Sequence, residues 1–325
     1  MRYFLETLPP GGLPLKSFIA RVPKSHLLSL GKLLGNLLYY LAVHQRRVVR
    51  RNLQFTYIES SPRQIQRMAK RIFQHFGVTI IEFLQMSFLS EQELVSKIRV
   101  EGLEILTAAL ARKKGVVLIT AHLGNYELAW QFVPCHLGQP ITGVAKKLRN
   151  VWLDRLIHYT RTRFGNRIIY KKGALPEMMQ TLRRGAMVGM LMDISRRFDG
   201  VEVTFFGRQA TTTPAAALLG LRCKSPIIPA FCHRDAVGRL IVQVEPPVEI
   251  QRSGDLRSDL QTNTQLISDR VERAIRNYPE QWNWMLKRWK EFYPYLYPES
   301  KKHQKHIKKK AKRRGLRNSR RRIRN

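Results

Sequence analysis

The sequence predicts an α/β fold: a central, mostly buried β-sheet flanked by helices, with an N-terminal helix that anchors the chain to a membrane. Three observations carry this. The runs Val116–Ala121, Met187–Met192 and Ile227–Cys232 are short and continuously apolar, as strands covered on both faces are. Segments of helical periodicity alternate with them, the signature of helices crossing over a largely parallel sheet. Near the N-terminus, residues 26–43 (HLLSLGKLLGNLLYYLAV) are dense in leucine.

Along the chain each element has its own reason. In 26–43, Ser29, Lys32, Asn36 and Tyr39/Tyr40 recur at helical spacing opposite Leu27, Leu30, Leu34, Leu37, Leu38 and Leu41. About 20 apolar residues are needed to cross the hydrocarbon, so the segment suits a helix lying in the interface, or one packed on the protein with its leucines toward lipid. Arg21 and Lys24 precede it, and Arg46, Arg47, Arg50 and Arg51 follow, so the flanking charge does not favour a crossing. No small-residue cleavage pattern follows, which argues against a signal peptide. Pro62–Leu89, opening after Ser60-Ser61, reads as one or two helices with Ile65, Met68, Ile72, Phe76 and Ile80 on one face.

Strand Val116–Ala121 leads to helix Asn125–Leu137, strand Ile141–Ala145, helix Val151–Phe164 and strand Arg167–Tyr170. Helix Ala174–Arg184 stops at Gly185, before strand Met187–Met192 and a further strand, Val201–Phe205. Thr213-Pro214 opens a helix through Cys223, threonine as cap and proline in the first turn. Strands Ile227–Cys232 and Leu240–Glu245 and helix Leu256–Asn277 complete the pattern. The expected organisation is a membrane-associated helix with its basic flank over 1–51, a catalytic domain over 52–297 and a disordered polybasic tail over 298–325.

Charge and cysteine content narrow the function. The 325 residues carry a formal net charge of +35. Residues 301–325 hold fourteen Lys or Arg and no acid, so +21 remains on the first 300. A surface of this kind favours anionic partners: nucleic acid, acidic lipid or an acidic carrier protein. The tail has no aromatic interleaving and the body no nucleic-acid module, so specific nucleic-acid recognition is not expected. Cys135, Cys223 and Cys232 have no metal-ligand spacing; an odd count suggests a reducing compartment and buried thiols. No glycine-rich phosphate loop, zinc pattern or dinucleotide fingerprint is present, and no cofactor or metal is expected.

The chemistry concentrates in VVLITAHLGNYE, residues 116–127. A buried strand there hands over to a helix, Gly124-Asn125 forming the turn and cap and Glu127 the first helical turn. Residues five apart on one helix point about 140° apart. His122 and Glu127 therefore meet only if the histidine stands on the loop before the helix. The arrangement suits a general base, an orienting acid and free backbone N–H groups able to receive an oxyanion. Further polar residues fall at strand ends and loops: Lys146, Lys147, Arg149 and Asn150; Arg161 and Arg163 on the next helix; Asp193 after VGMLM; and Arg208, followed by Thr211–Pro214. Arginine beside hydroxyls and a helix N-terminus is a combination suited to phosphate.

With these residues in view, the chain closely resembles the bacterial lipid A biosynthesis (lauroyl/myristoyl, late) acyltransferase family. The matching text is AHLGNYE at 121–127, GAMVGMLMD at 185–193, GVEVTFFGRQATTTPAAALL at 200–219, SPIIPAFCHR at 225–234 and YPEQWNWMLKRWK at 278–290. HQRRVVRRNL at 44–53 fits the basic segment that follows the family's anchor, and the likeness spans roughly 15–292. It implies a glycerolipid-acyltransferase-like fold and an enzyme at the cytoplasmic face of the inner membrane. Members move a fatty acyl chain from acyl carrier protein to a hydroxyl of a lipid A precursor.

Carried over by position, His122 matches the base of the His-(four residues)-Glu/Asp motif and Glu127 its acidic partner. Asp193 matches an acidic position and Arg208 the arginine after the double-Phe-Gly. Ile194 stands where the family commonly has glutamine and Lys146 where it has arginine, and the polybasic tail is not part of the pattern. The resulting expectation is a catalytic pair, His122 and Glu127, with substrate held by Lys146, Arg149, Asn150, Arg161, Arg163, Asp193 and Arg208. Phe205, Phe206, Trp130 and Trp152 are candidate walls for an acyl groove. Partners expected are acyl carrier protein, anionic membrane lipid and a lipid A precursor; a lysophospholipid or another glycolipid is the alternative acceptor.

Overall fold

The apolar runs become interior strands. A computed structural model of the protein describes residues 22–148, 150–170, 173–197 and 199–298; the polybasic tail from 299 onward lies outside the described residues. The chain opens with α1 (Lys24–Leu41), α2 (Val43–Thr56), α3 (Pro62–Met86) and α4 (Glu91–Ser96), then β1 (Ile98–Glu101) and α5 (Leu103–Ala111). There follow β2 (Val116–Thr120), α6 (Tyr126–Leu137), β3 (Ile141–Ala145), α7 (Val151–Thr162), β4 (Arg167–Tyr170), α8 (Ala174–Arg183) and β5 (Met187–Leu191). The hairpin β6 (Val201–Phe205) and β7 (Arg208–Thr212), α9 (Ala215–Cys223), β8 (Ile227–Arg234), β9 (Leu240–Val244) and α10 (Leu256–Asn277) close the order.

Seven strands form one sheet in the order β1-β9-β8-β2-β5-β3-β4. Every neighbouring pair is parallel except β8 and β9. The pleat sends alternate residues of β2 to opposite cores. Val117 and Ile119 pack with α8, α9, α10 and the tryptophans Trp282, Trp284 and Trp289, while Val116 and Leu118 pack with α5 and α6. The central sheet is thus covered on both faces, as the uninterrupted apolar runs require.

Three elements carried too weak a pattern to be expected: α4, α5 and the edge strand β1 (IRVE). Arg208–Thr212, read as a loop of phosphate-binding groups, is a strand paired to β6 through a two-residue turn. Phe206 and Gly207 both take positive φ, 54° and 68°, as such turns demand. The three cysteines are free.

The N-terminal segment expected to be a single anchoring helix is a bent pair. The helices α1 and α2 meet at 93°, and no single helix among the described residues is long and apolar enough to cross a membrane. The helix α1 seats on α3 through glycines. A Cβ on Gly77 would lie 2.2 Å from the Gly31 carbonyl oxygen, and one on Gly35 would lie 2.3 Å from that of Phe73. Leu27, Gly31, Gly35 and Tyr39 form the buried face, so Leu27, expected among the lipid-facing leucines, packs inward beside Tyr39. Leu30, Leu33, Leu37 and Leu41 remain more than half exposed on the other side. The division expected at residue 51/52 falls inside α2, where buried Asn52 donates to the carbonyls of Trp284 and Leu286 at 2.8 and 2.9 Å.

Gly77→Ala should therefore destabilise the protein by about 1–3 kcal/mol, the usual cost of overpacking, measured by denaturant unfolding. An unchanged midpoint would show that α1 is not seated on α3 as described.

Candidate active site

The register of two adjacent strands builds the site. In β2 and β5, Thr120 pairs with Leu191, and the Met192 N–H donates to the Thr120 carbonyl at 2.9 Å. Two residues beyond each paired position stand His122 and Asp193, at the carboxyl edge where open α/β sheets collect their ligands. Asp193 is completely buried and accepts three hydrogen bonds. The His122 backbone N–H and the Trp282 indole N–H reach Oδ2 at 2.8 Å each, and His122 Nδ1 meets Oδ1 at 2.9 Å. The segment after α10 straps this loop down. Leu123 bridges to Trp282, Asn283 N–H donates to the His122 carbonyl, and Gly124 N–H donates to the Gln281 carbonyl, both at 3.0 Å.

Electrostatics follow from that geometry. Burial alone would lower the His122 pKa, but the charge of Asp193 and the hydrogen bond to it raise it above the ordinary histidine value. For Asp193, burial would raise the pKa; the His122 charge and the bonds from His122 and Trp282 hold it below the usual carboxylate range. An ionised carboxylate on Nδ1 places the neutral imidazole's proton there and leaves Nε2 as the basic nitrogen.

The expected His122–Glu127 pair is not formed. The Glu127 carboxylate takes Arg161 instead, Nε donating at 3.0 Å and Nη2 completing a bidentate fork. A helical residue in the first turn of α6 points away from the loop, toward α7. The Tyr126 hydroxyl donates to Glu127, and burial and that carboxylate push its pKa well up. Its ring stands edge-on to the His122 ring, centroids 4.9 Å apart.

The cap Asn125 accepts from the Leu128 N–H at 3.1 Å and donates to Glu82 at 2.7 Å. Glu82 in turn is ion-paired with Arg234. The helix start is thereby tied to α3 and β8. Gly124 is confined to glycine, with φ of +55° and a Cβ that would lie 2.4 Å from the Cys232 carbonyl oxygen. Its N–H is committed to Gln281, so the turn offers fewer free N–H groups for an oxyanion than the sequence suggested.

Two hollows lie near the site, and His122 lines the smaller of them. A cavity of about 130 Å³ between α6 and the sheet is lined by apolar side chains, with Thr120, Tyr126, Glu127 and Arg161 at its polar end. A smaller hollow of about 70 Å³ is lined by His75, Thr79, His122, Tyr126, Trp282 and Asn283. Burial and then the nearby charge of Arg234 lower the His75 pKa to about 4, so this second histidine is neutral. Tyr126 lines both spaces.

The remaining candidates disperse. Asp193 is fully buried and its oxygens are taken by His122 and Trp282. Arg163 donates to the carbonyls of Met86 and Leu89 at 2.8 and 2.7 Å, pinning α7 to the end of α3. Asn150 caps α7 by accepting from Leu153 N–H at 3.0 Å, Lys146 is exposed, and Arg149 lies outside the described residues. Arg208 sits 4.9 Å above the Phe55 ring. The neighbouring hydroxyls are engaged internally, Thr211 with Ser195 and Thr212 with Arg288 and Ser268, so no phosphate cradle forms there. Of the proposed groove walls, only Trp130 lines the cavity. Phe205 and Phe206 pack with the tryptophans, and Trp152 is 67% exposed. Neither Trp282 nor Tyr126 was singled out as a site residue, because an indole N–H donor is indistinguishable from core packing until its partner is known.

A histidine backed by a buried carboxylate thus stands at the edge of an α/β sheet, with Tyr126 between it and an apolar cavity, an arrangement compatible with the acyltransferase class. The comparisons make this specific. Residues 12–291 match the model of the bacterial lipid A biosynthesis acyltransferase family, and the chain belongs to that family. It is 26% identical to the lipid A biosynthesis lauroyltransferase of Escherichia coli K12, over 89% of this chain and 92% of that one. With the lipid A biosynthesis acyltransferase of Haemophilus influenzae it shares 23% identity over 78% of both chains. With the phosphatidylinositol mannoside acyltransferase of Mycobacterium tuberculosis H37Rv it shares 28% over 58% of both.

The pair also makes stability pH-dependent. His122 has a raised folded pKa, so its contribution is complete below about pH 6.5 and fades as pH rises through the folded value. Asp193 has a depressed one, so its contribution is complete above about pH 4 and fades as pH falls through the folded value. Asp193→Asn should therefore lose most stability between roughly pH 4 and 6.5, read from melting temperatures across pH. An equal loss at every pH would show that the two groups are not charge-coupled.

Proposed function

We propose that the protein transfers a fatty acyl chain from an acyl carrier protein thioester to a hydroxyl of a lipid A precursor, with His122 as general base. The single observation that carries this reading is the engagement of His122 Nδ1 by buried Asp193, while the His122 ring lines the smaller hollow and packs on Tyr126, which also lines the apolar cavity. His122 Nε2 takes the proton of the acceptor hydroxyl. The freed oxygen attacks the thioester carbonyl carbon, and a C–O bond forms as the C–S bond breaks. The imidazolium then returns its proton to the departing thiolate. No acyl-enzyme is needed, and no cofactor beyond the donor. Arg161, fixed by Glu127 at the polar end of the cavity, is the cation we assign to the developing oxyanion.

Membrane association belongs to the same reading. The exposed leucines of α1, the basic residues of α2 and the formal charge of +35 suit a monotopic attachment to an anionic surface, at the inner membrane's cytoplasmic face. The same charge suits an acidic carrier protein. An acceptor such as a phosphoinositide-based glycolipid is the second reading, favoured by the 28% identity to the mycobacterial mannoside acyltransferase.

His122→Ala should lower transfer by about 100- to 10,000-fold, with melting behaviour and vesicle binding retained. Near-normal transfer would remove the assignment. In the native protein kcat/KM should rise with pH through a value above about 6.5, because His122 must shed its proton to act. Asp193→Asn should move that limb to lower pH along with the rate loss, since the anion that favours the imidazolium is gone. Replacing Leu33, Leu37 and Leu41 by serine should weaken binding to anionic vesicles in a sedimentation assay; unchanged binding would contradict the role given to α1.

A further inference from the structure

The cavity beneath α6 is lined by residues from β9 to β4, and Trp130 of α6 is among them. A Cβ on Gly143 would lie 2.5 Å from Cη2 of Trp130, and one on Gly189 would lie 2.4 Å from its Cζ3. Those two glycines are register partners across β3 and β5. The indole therefore reaches from the helix to the bare backbone of the sheet and rests on a two-glycine plate. Glycine inside a strand costs stability, about 0.5–1 kcal/mol each relative to alanine, so a pair at one register position points to a required close approach. The Trp130 indole N–H leans on the Arg161 carbonyl at 3.4 Å, which holds the ring beside the polar end of the cavity.

On one side of the indole lie Val144 and Ile168, from β3 and β4. On the other lie Leu118, Ala230, Val242 and, at the far wall, Leu106. All line a space with apolar sides and one polar end, the shape a hydrocarbon tail with a thioester head requires.

We propose that Trp130, standing on Gly143 and Gly189, partitions this cavity and determines acyl-chain length: it closes the β3–β4 side and sends the chain toward β8 and β9. The inference rests on the acyl-transfer reading and adds to it a residue that selects the substrate. Chains too long for the β8–β9 branch find the other branch filled by the indole. A residue of this kind touches the chain and not the reacting atoms, so it governs the ranking of donors rather than the proton transfer.

The test uses the full-length protein and a ladder of saturated acyl carrier protein thioesters, each scored by kcat/KM. Trp130→Ala opens the closed side and should raise the ratio of longer to shorter chains about tenfold for each added pair of methylenes that finds space. Ala230→Leu narrows the other branch and should shift the preference to shorter chains by a similar factor. If Trp130→Ala does not fold, by melting temperature, Ala230→Leu decides alone. A folded Trp130→Ala protein with the wild-type length ranking, or an Ala230→Leu protein with that ranking, overturns the partition. Wild-type protein that transfers no chain of any length sinks the acyl-transfer reading, and the partition with it.

Discussion

The contact between His122 and Asp193 is the constraint around which the rest is arranged. It exists because β2 and β5 lie side by side in parallel with Thr120 opposite Leu191. Both chains then leave the sheet at the same level, and two residues later their side chains meet. A carboxylate with no solvent exposure needs compensation, which three hydrogen bonds at 2.8–2.9 Å supply. One donor is the backbone of the histidine itself and another is Trp282, so loop, strand end and C-terminal strap are locked by one anion. Slipping β5 by a single residue would turn Asp193 to the other face and dismantle all three.

The two carboxylates near the histidine divide the work by direction. Asp193 lies beneath the ring and sets its tautomer. Glu127 faces the other way and holds Arg161 at the polar end of the apolar cavity. Tyr126 stands between, its ring against His122 and its hydroxyl on Glu127. His122 and the Glu127–Arg161 pair are thereby linked through one aromatic side chain.

Much of this fold was legible because its local signals are strong. The runs Val116–Ala121, Met187–Met192 and Ile227–Cys232 are long enough in β-branched or apolar residues to announce buried strands, and the cap Asn125 marks its helix; Asn150, read as a substrate contact, is also a cap. The placement of His122 on the loop before α6 followed from the Gly124-Asn125 turn and cap; the 3.6-residue period pointed the same way only through a pairing with Glu127 that does not form. Strand order did not, because it depends on which apolar runs pack side by side, and nothing in either run names its neighbour. Without the β2–β5 adjacency, the nearest acid in sequence, Glu127, was the natural partner for His122. The true partner is 71 residues away, and the group that captures Glu127 is 34 residues away. Arg208 misled for a related reason: its hydroxyl-rich neighbours look like a ligand cradle until Arg288, from beyond α10, occupies them. The edge strand β1 was invisible because four mixed residues carry no usable period.

Nitrogen-resolved NMR of His122 in the full-length protein, titrated across pH, tests the central claim most directly. The account predicts a neutral imidazole protonated at Nδ1, with a pKa above that of an ordinary histidine that falls in Asp193→Asn. A ring protonated at Nε2, or a pKa below the ordinary value in the native protein, would contradict it.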